Sequence, residues 1–599
     1  MPLKFKNKLC TGCHLCELVC AAHHFDEFAP TRARIRVNNH PLEGQSEVMA
    51  CFSCPDAPCI AVCPQDAISR LGPRQPLSVD PARCDGCSGD GSTGLTAGPA
   101  CVPACPYGAM YFDTTTLYAL ACDLCGGDPQ CVKFCYPGAV SFSNGQTPAV
   151  EANATTTNSP VKGKKMNDNR EKSRIQWRRA AKVMPLGVSS NFRYWGDDET
   201  LVAEKAQGAY IWDVDGNRYI DYRLGFGPVI LGHAYEEVDA RVRDAIRNGV
   251  VYAFTSPLEI SVAEKIVAMC PGVEAVRLTN TGTETILHAL RVARAYTGRE
   301  KLIKFEGQYH GMLDYVLFST YTDVNAYGSR RSPVPVPSTS GIPRSVHDLV
   351  ITLPFNDFEV LETTLRRAWH DVAAIIVEPI LGNCAAIEPL PGWLEFLRAK
   401  CNEYGIVLIF DEVKTGFRLA RGGAQEVYGV IPDLATYAKS LGNGYAVAAF
   451  GGRREVMSVV GVGVVCGGTY AGNVVGVAAA DATLSLLQEQ PILETIAERG
   501  RRLQAGLKRI FAEADIPMLI TGHPNMFAFS IGVEKLTDQR DWSKSDHQYY
   551  ERLIAAAIER GVMPDPDPRE PWFLCYSLSD ADIDETLNVM EDVVRTVKR

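Results

Sequence analysis

The chain is 599 residues long, with 46% hydrophobic and 22% charged residues and a net charge of −10. That is ordinary globular material, enough for three or four packed units, and its acidity argues against a nucleic-acid or anionic-membrane partner. The uncharged run 456–480 could span a bilayer by length, but six glycines with Ser458, Thr469 and Asn473 make it a poor apolar helix. It is predicted as buried loop and strand, with no membrane span.

Sixteen of the 21 cysteines lie in the first 135 residues, in four quartets. They are Cys10, Cys13, Cys16 and Cys20; Cys51, Cys54, Cys59 and Cys63; Cys84, Cys87, Cys101 and Cys105; and Cys122, Cys125, Cys131 and Cys135. Each has the form Cys-x2-Cys-x(n)-Cys-x3-Cys, which supplies the four thiolates a 4Fe-4S cube needs. Pro64 and Pro106 directly follow the last cysteine of their quartets, and Pro137 follows Cys135 one residue late. Zinc ribbons rarely add the x3-Cys tail four times, and disulfides would need an oxidising compartment. Met1 to Leu9 is too short and lysine-rich for an apolar signal core, so a reducing, cytoplasmic location is expected. Residues 1–150 carry 10 Lys and Arg against 13 Asp and Glu, which again disfavours nucleic acid. Several one-electron centres in a row form a relay rather than an enzyme. His23 and His24 are read as exposed or second-sphere neighbours of the clusters rather than ligands.

Residues 1–140 resemble the four-cluster electron-transfer subunits of molybdenum and tungsten oxidoreductases. The resemblance implies up to four 4Fe-4S clusters, with the first quartet partnering the last and the middle two partnering each other. One cluster would then take Cys10, Cys13, Cys16 and Cys135, and another Cys122, Cys125, Cys131 and Cys20. A third would take Cys51, Cys54, Cys59 and Cys105, and the fourth Cys84, Cys87, Cys101 and Cys63. The glycine-rich spacer 88–100 is expected to be a loop of variable length.

Between 141 and 173 the composition turns to Asn, Thr, Ser, Pro, Gly and a lysine cluster, which predicts a flexible linker. From about 205 onward, apolar strand-like runs alternate with amphipathic helices, the pattern of an α/β sheet covered on both faces. Ala374–Val377 and Ile406–Phe410 are continuous apolar runs expected of parallel strands. Glu378 and Asp411 follow them, at strand carboxyl ends where such sheets place ligands. Thr279 to Thr285 leads into a helical pattern carrying Ile286, Leu290 and Ala293, so its amides and hydroxyls could hold a phosphate. Lys439 precedes the glycine-rich bend 440–444. A lysine there can condense with an aldehyde cofactor, and an aspartate at a strand end can pair with a pyridinium nitrogen.

The stretches Gly208–Gly216, Gly227–His233, Lys304–Gly311, Ile375–Pro379, Phe410–Arg418 and the Lys439 segment occur in the order found in class III pyridoxal-phosphate aminotransferases. The sequence resembles that family, and within it the glutamate-1-semialdehyde aminomutases. The resemblance implies an α/β fold-type I transferase, with a large sheet domain over 174–490 and a small α+β domain over 491–599. It implies pyridoxal 5'-phosphate bound through Lys439, which also moves the substrate proton, and Asp411 on the ring nitrogen. Tyr309 would stack on the ring, and Thr281, Gly282 and Thr283 would grip the phosphate. Thr469 would reach the phosphate of a neighbouring subunit, which implies a homodimer.

Arg193 matches an arginine that binds the substrate carboxylate, and Glu570 matches a glutamate of the substrate region. Gly225-Phe226 departs from the family's serine and tryptophan, and 311–343 falls where the aminomutases have a gating loop. The substrate is thus a small amino-aldehyde or amino acid. An aminomutase would make 5-aminolevulinate from glutamate-1-semialdehyde; a transaminase would need a second substrate; and a chain acting mainly as an electron carrier would serve a partner oxidoreductase.

Overall fold

The computed structural model describes residues 170–599 throughout, and residues 3–142 except 11–12, 26, 28, 41–44, 52, 55, 71, 73–75, 85–86, 88–99, 114–115, 117 and 136–138. Pro137, most of the 88–100 spacer and the 143–169 part of the expected linker therefore lie outside the described residues. The chain divides into two compact units, Met1–Ala154 and Thr155–Arg599. At the ends of the expected linker, Val140–Phe142 is a strand of the first unit and Glu171–Ala181 is a helix of the second.

In the first unit Leu3–Phe5 pairs antiparallel with Val140–Phe142, tying the two ends of the unit together. Ile35–His40 and Gln45–Ala50 form a hairpin. The helix Leu15–Phe25 carries Cys16 and Cys20, a spacing that puts both on one face. Short helical turns, Pro58–Ala61 and Gln130–Lys133, carry Cys59 and Cys131. The apolar core is small and interleaved with thiols: Leu3, Val37, Val48 and Val140 pack with Cys16, Cys20 and Cys131, and Ile68, Leu77 and Met110 pack with Cys59 and Cys101.

The second unit is built on a seven-stranded sheet. Its strands are β1 (Ala275–Thr279), β2 (Lys301–Phe305), β3 (Val350–Leu353), β4 (Val372–Val377), β5 (Val407–Asp411), β6 (Leu434–Tyr437) and β7 (Ala448–Gly452), in the order β1-β7-β6-β5-β4-β2-β3. The pairs within β6-β5-β4-β2-β3 are parallel, while β7 runs antiparallel to both β1 and β6. Every residue of β4 and β5 is buried, which is why these stretches are apolar without alternation. The helix α1 (Gly282–Thr297) follows β1, capped by the Thr281 hydroxyl, which accepts from Glu284 N, and closed by Gly298 at φ 68°. It buries Ile286, Leu290 and Ala293, the face marked by their spacing.

The C-terminal part packs the helices Ile492–Glu513, His547–Glu559 and Asp580–Thr596 with an antiparallel sheet of Met518–His523, Met526–Ile531 and Trp572–Phe573. Its strand Val562–Met563 adds in parallel to Arg218–Asp221 near the start of the unit. The 456–480 run is not buried loop and strand. It comprises the buried end of the helix Arg454–Met457, largely exposed turns and the start of the helix Val474–Glu489, and Val462 and Val465 are 89% and 83% exposed. No helix among the described residues is long and apolar enough to cross a membrane.

Candidate active site and cysteine cages

The carboxyl ends of β4, β5 and β6 open on a cavity of about 200 Å³. Lys439 enters it from the turn after β6, with its backbone in the left-handed region at φ 48°. A non-glycine residue held there is strained, and such strain gathers at functional sites. Burial pulls the Lys439 amine down to about 7, and the Lys414 ammonium adds to the effect. Asp411, the last residue of β5, receives His310 Nδ1 at 2.7 Å and Val413 N at 3.1 Å. The buried His310 is held towards its neutral form by desolvation, against the pull of Asp411. Its Nε2 has no hydrogen-bond partner among the described residues.

Tyr309 lines the same cavity, its backbone N–H donating to Glu378 Oε1 at 2.7 Å and its ring edge-to-face with Phe192. Thr281, Gly282 and Thr283 line the far wall at the start of α1. Space there is tight. A Cβ on Gly282 would stand 3.3 Å from Val413, and one on Gly311 would stand 2.6 Å from Thr283 Oγ1. Backbone amides at a helix start, small residues that admit close approach, and an aspartate facing a lysine across the cavity form a donor set that fits a phosphorylated pyridine aldehyde.

Sequence reasoning did not assign roles to four residues of this cavity. His310 holds Asp411, and Asn383 donates to Glu570 Oε1. Glu378 takes N–H bonds from Tyr309 and Gly382, and burial with the field of Asp411 pushes it up to about 8. Lys414 is buried, with Nζ 2.6 Å from Gly382 O and 2.8 Å from Glu570 Oε2. His310 and Lys414 stand inside the motifs that signalled the family, but only the fold shows what they touch.

Three expected residues do not line the cavity. Glu570 stands behind its wall, bound to the lining residues Asn383 and Lys414. Arg193 is exposed and lines a neighbouring cavity of about 330 Å³ with Arg223, Gly225 and Phe226. Phe192, next to Arg193 in the sequence, packs on both Phe226 of that lining and Tyr309. Thr469 lies in an exposed turn of its own chain.

In the first unit the thiols gather in fours. Cys16 is pushed up to about 12 by burial, then by Glu17 and the nearby Cys13, Cys135 and Cys10. Burial raises Cys131 most, with Cys122, Cys20 and Cys125 adding to it. Cys59 is raised to about 11 by burial and then by Cys51, Cys54 and Cys105. Cys101 is raised to about 12 by burial and then by Cys87, Cys84 and Cys63. Cys16, Cys59, Cys101 and Cys131, one in each group, thus resist ionising alone, and iron is the kind of cation that ionises such thiols. Backbone N–H groups point at the sulfurs of Cys20, Cys63, Cys105 and Cys135 at 3.2 to 3.3 Å, ready to stabilise thiolate. His24 Nε2 is 3.7 Å from Cys125 Sγ and 3.3 Å from Asp123.

The sheet order, the lysine after β6 and the aspartate ending β5 define a fold-type I pyridoxal-phosphate transferase. The chain belongs to the class III aminotransferases, a pyridoxal-phosphate-dependent family whose pattern matches residues 194–594, and residues 45–145 match the 4Fe-4S dicluster domain. Glutamate-1-semialdehyde 2,1-aminomutase of Methanopyrus kandleri is 40% identical over 420 residues, 70% of this chain and 96% of its own length. The enzyme of the same name from Persephonella marina is 38% identical over 426 residues, 70% of this chain and 98% of its own length. The crystal structure of an omega-transaminase from Sphaerobacter thermophilus superposes with a TM-score of 0.68 at 31% identity, covering 71% of this chain and 97% of that one.

Proposed function

We propose that the aminotransferase part is an aminomutase converting glutamate-1-semialdehyde to 5-aminolevulinate, and that the iron-sulfur part carries electrons to a partner oxidoreductase. The observation that carries the first half is the 40% identity to an aminomutase along nearly its whole length. Pyridoxal phosphate supplies an electron sink beside the substrate carbon. Lys439 holds the cofactor and, when released, moves the proton between carbons. Asp411, fixed by His310, keeps the ring nitrogen protonated, and Tyr309 covers the ring. Thr281, Gly282 and Thr283 bind the phosphate. Arg193 takes the substrate carboxylate from the neighbouring cavity, and Glu570 faces the substrate. The 16 cysteines bind four 4Fe-4S clusters in the sets implied by the four-cluster resemblance.

Thr469 serves the partner's site in a homodimer; its exposure with Val462, Val465 and Tyr470 supports that reading. The acidity of the chain supports a site for small molecules rather than nucleic acid, and its cysteine use supports a cytoplasmic setting.

A second reading, a transaminase with a separate amino donor, is favoured by Gly225-Phe226 and by Lys414, whose ammonium already engages Glu570. The test is an assay on glutamate-1-semialdehyde with the anaerobically purified full chain. Formation of 5-aminolevulinate without an added amino or oxo acid is the expected result. A strict requirement for a second substrate would establish the transaminase instead.

A further inference from the structure

The cavity at Lys439 has a second buried cation. Among the described residues, Lys439 and Lys414 are the Lys and Arg side chains that line it. The arginines around it are committed elsewhere: Arg223 Nε lies 2.6 Å from Asp565, and Arg569 Nε lies 2.9 Å from Asp567. Together with Glu570, which meets Lys414, these carboxylates all come from the short segment 565–570, and each ties down one cation.

Lys414 differs from the two arginines in lining the cavity itself. Its side chain is 5% exposed and that of Glu570 is 11%, so the pair is held away from bulk water. Two of its three N–H groups go to Gly382 O and Glu570 Oε2, which fixes the ammonium in place and leaves a third donor. Both Glu570 oxygens already have donors within the chain, Asn383 on Oε1 and Lys414 on Oε2. Glu378, the other carboxylate on this side, is held towards its neutral form by burial and by Asp411. A substrate entering here meets a fixed ammonium whose counter-ion is occupied, in the same small cavity as the reacting lysine.

We propose that Lys414 is a specificity-determining residue that receives a carboxylate carried on the substrate's amine-bearing carbon, so that the site takes simple amino acids as ligands. Glutamate-1-semialdehyde bears an aldehyde, not a carboxylate, next to its amine, so this extends the substrate class beyond the aminomutase reading. It rests on that reading only in taking Lys439 as the residue that holds pyridoxal phosphate in this cavity.

The test uses two amines of the same shape, 2-methylalanine and tert-butylamine, which differ by a carboxylate in place of a methyl group. Neither has a hydrogen on the amine-bearing carbon to be removed, so calorimetry on the cofactor-loaded full chain reads binding, with carbon dioxide release measured in parallel to exclude loss of the 2-methylalanine carboxylate. The expected result is tighter binding of 2-methylalanine by about ten- to hundredfold, the worth of a hydrogen bond to a charged group. Lys414→Met should cut that preference to within about twofold, while Lys414→Arg retains most of it. Equal affinities in the native protein, or a preference that survives Lys414→Met and disappears in Arg193→Gln, would overturn the proposal. Cofactor uptake is followed separately by absorbance. A chain that takes up no cofactor defeats the underlying reading and the proposal together, whereas a loaded chain without the preference defeats the proposal alone.

Discussion

The Lys439 amine must be neutral to attack an aldehyde, and burial together with Lys414 pulls it down to about 7. Cofactor uptake by apo-protein should therefore accelerate with pH and level off with a midpoint near 7, well below that of a solvated lysine, as stopped-flow absorbance would show. Lys414→Met removes the neighbouring positive charge and should move that midpoint upward. Glu378 behaves in the opposite sense. Its pKa in the folded chain is raised from 4.5 to about 8, so the native state binds a proton that the unfolded chain has released across that window. Its contribution to stability is therefore lost as pH rises from about 4.5 to about 8. Glu378→Gln should flatten that loss in urea melts of the aminotransferase unit. Lys439, Asp411 and the Thr281–Thr283 turn were legible in the sequence because local spacing marks them. The bond from His310 to Asp411 joins positions 101 apart, and that from Lys414 to Glu570 joins positions 156 apart, so no local pattern announces either.

Among elements, the site depends on close approach between the start of α1 and the turn after β2. Gly311 has φ 88°, and a Cβ there would meet Thr283 Oγ1 at 2.6 Å and Thr283 Cα at 3.0 Å. Gly311→Ala should cost about 1–3 kcal/mol through backbone strain and crowding, and should weaken cofactor retention in equilibrium dialysis. The strands beneath the site were readable almost to their ends: apolar runs at 374–377 and 406–410 became β4 over Val372–Val377 and β5 over Val407–Asp411. The turns after β7 were not. Val462, Val464 and Val465 suggested a buried strand by composition, but only Val464 is buried, because the six glycines of 456–480 favour turns. Apolar residues that one chain leaves exposed are indistinguishable in sequence from residues that it buries.

As a whole molecule, the protein joins a thiol-rich unit to an α/β enzyme unit, and each supports a separate measurement. Anaerobic protein with all four clusters should hold about 16 iron atoms per chain, and Cys101→Ser should lower that number by removing one of the four ligands of a cluster. The exposed face around Val462, Val465 and Tyr470 should bury itself in a homodimer, giving a sedimentation mass twice the 65.4 kDa chain. Val465→Asp should shift that equilibrium to monomer. The division of labour was legible from cysteine spacing and motif order. The grouping of thiols in fours came from the four-cluster resemblance rather than from local spacing, since Cys16 meets Cys135 across almost the full length of the first unit.

One experiment bears most directly on the chemistry: borohydride reduction of the cofactor-loaded full chain, followed by digestion and mass spectrometry to locate the pyridoxyl group. The label is predicted on the peptide containing Lys439, with none on the peptide containing Lys414. A label on Lys414, or protein that loads cofactor but retains none covalently after reduction, would contradict the assignment of Lys439.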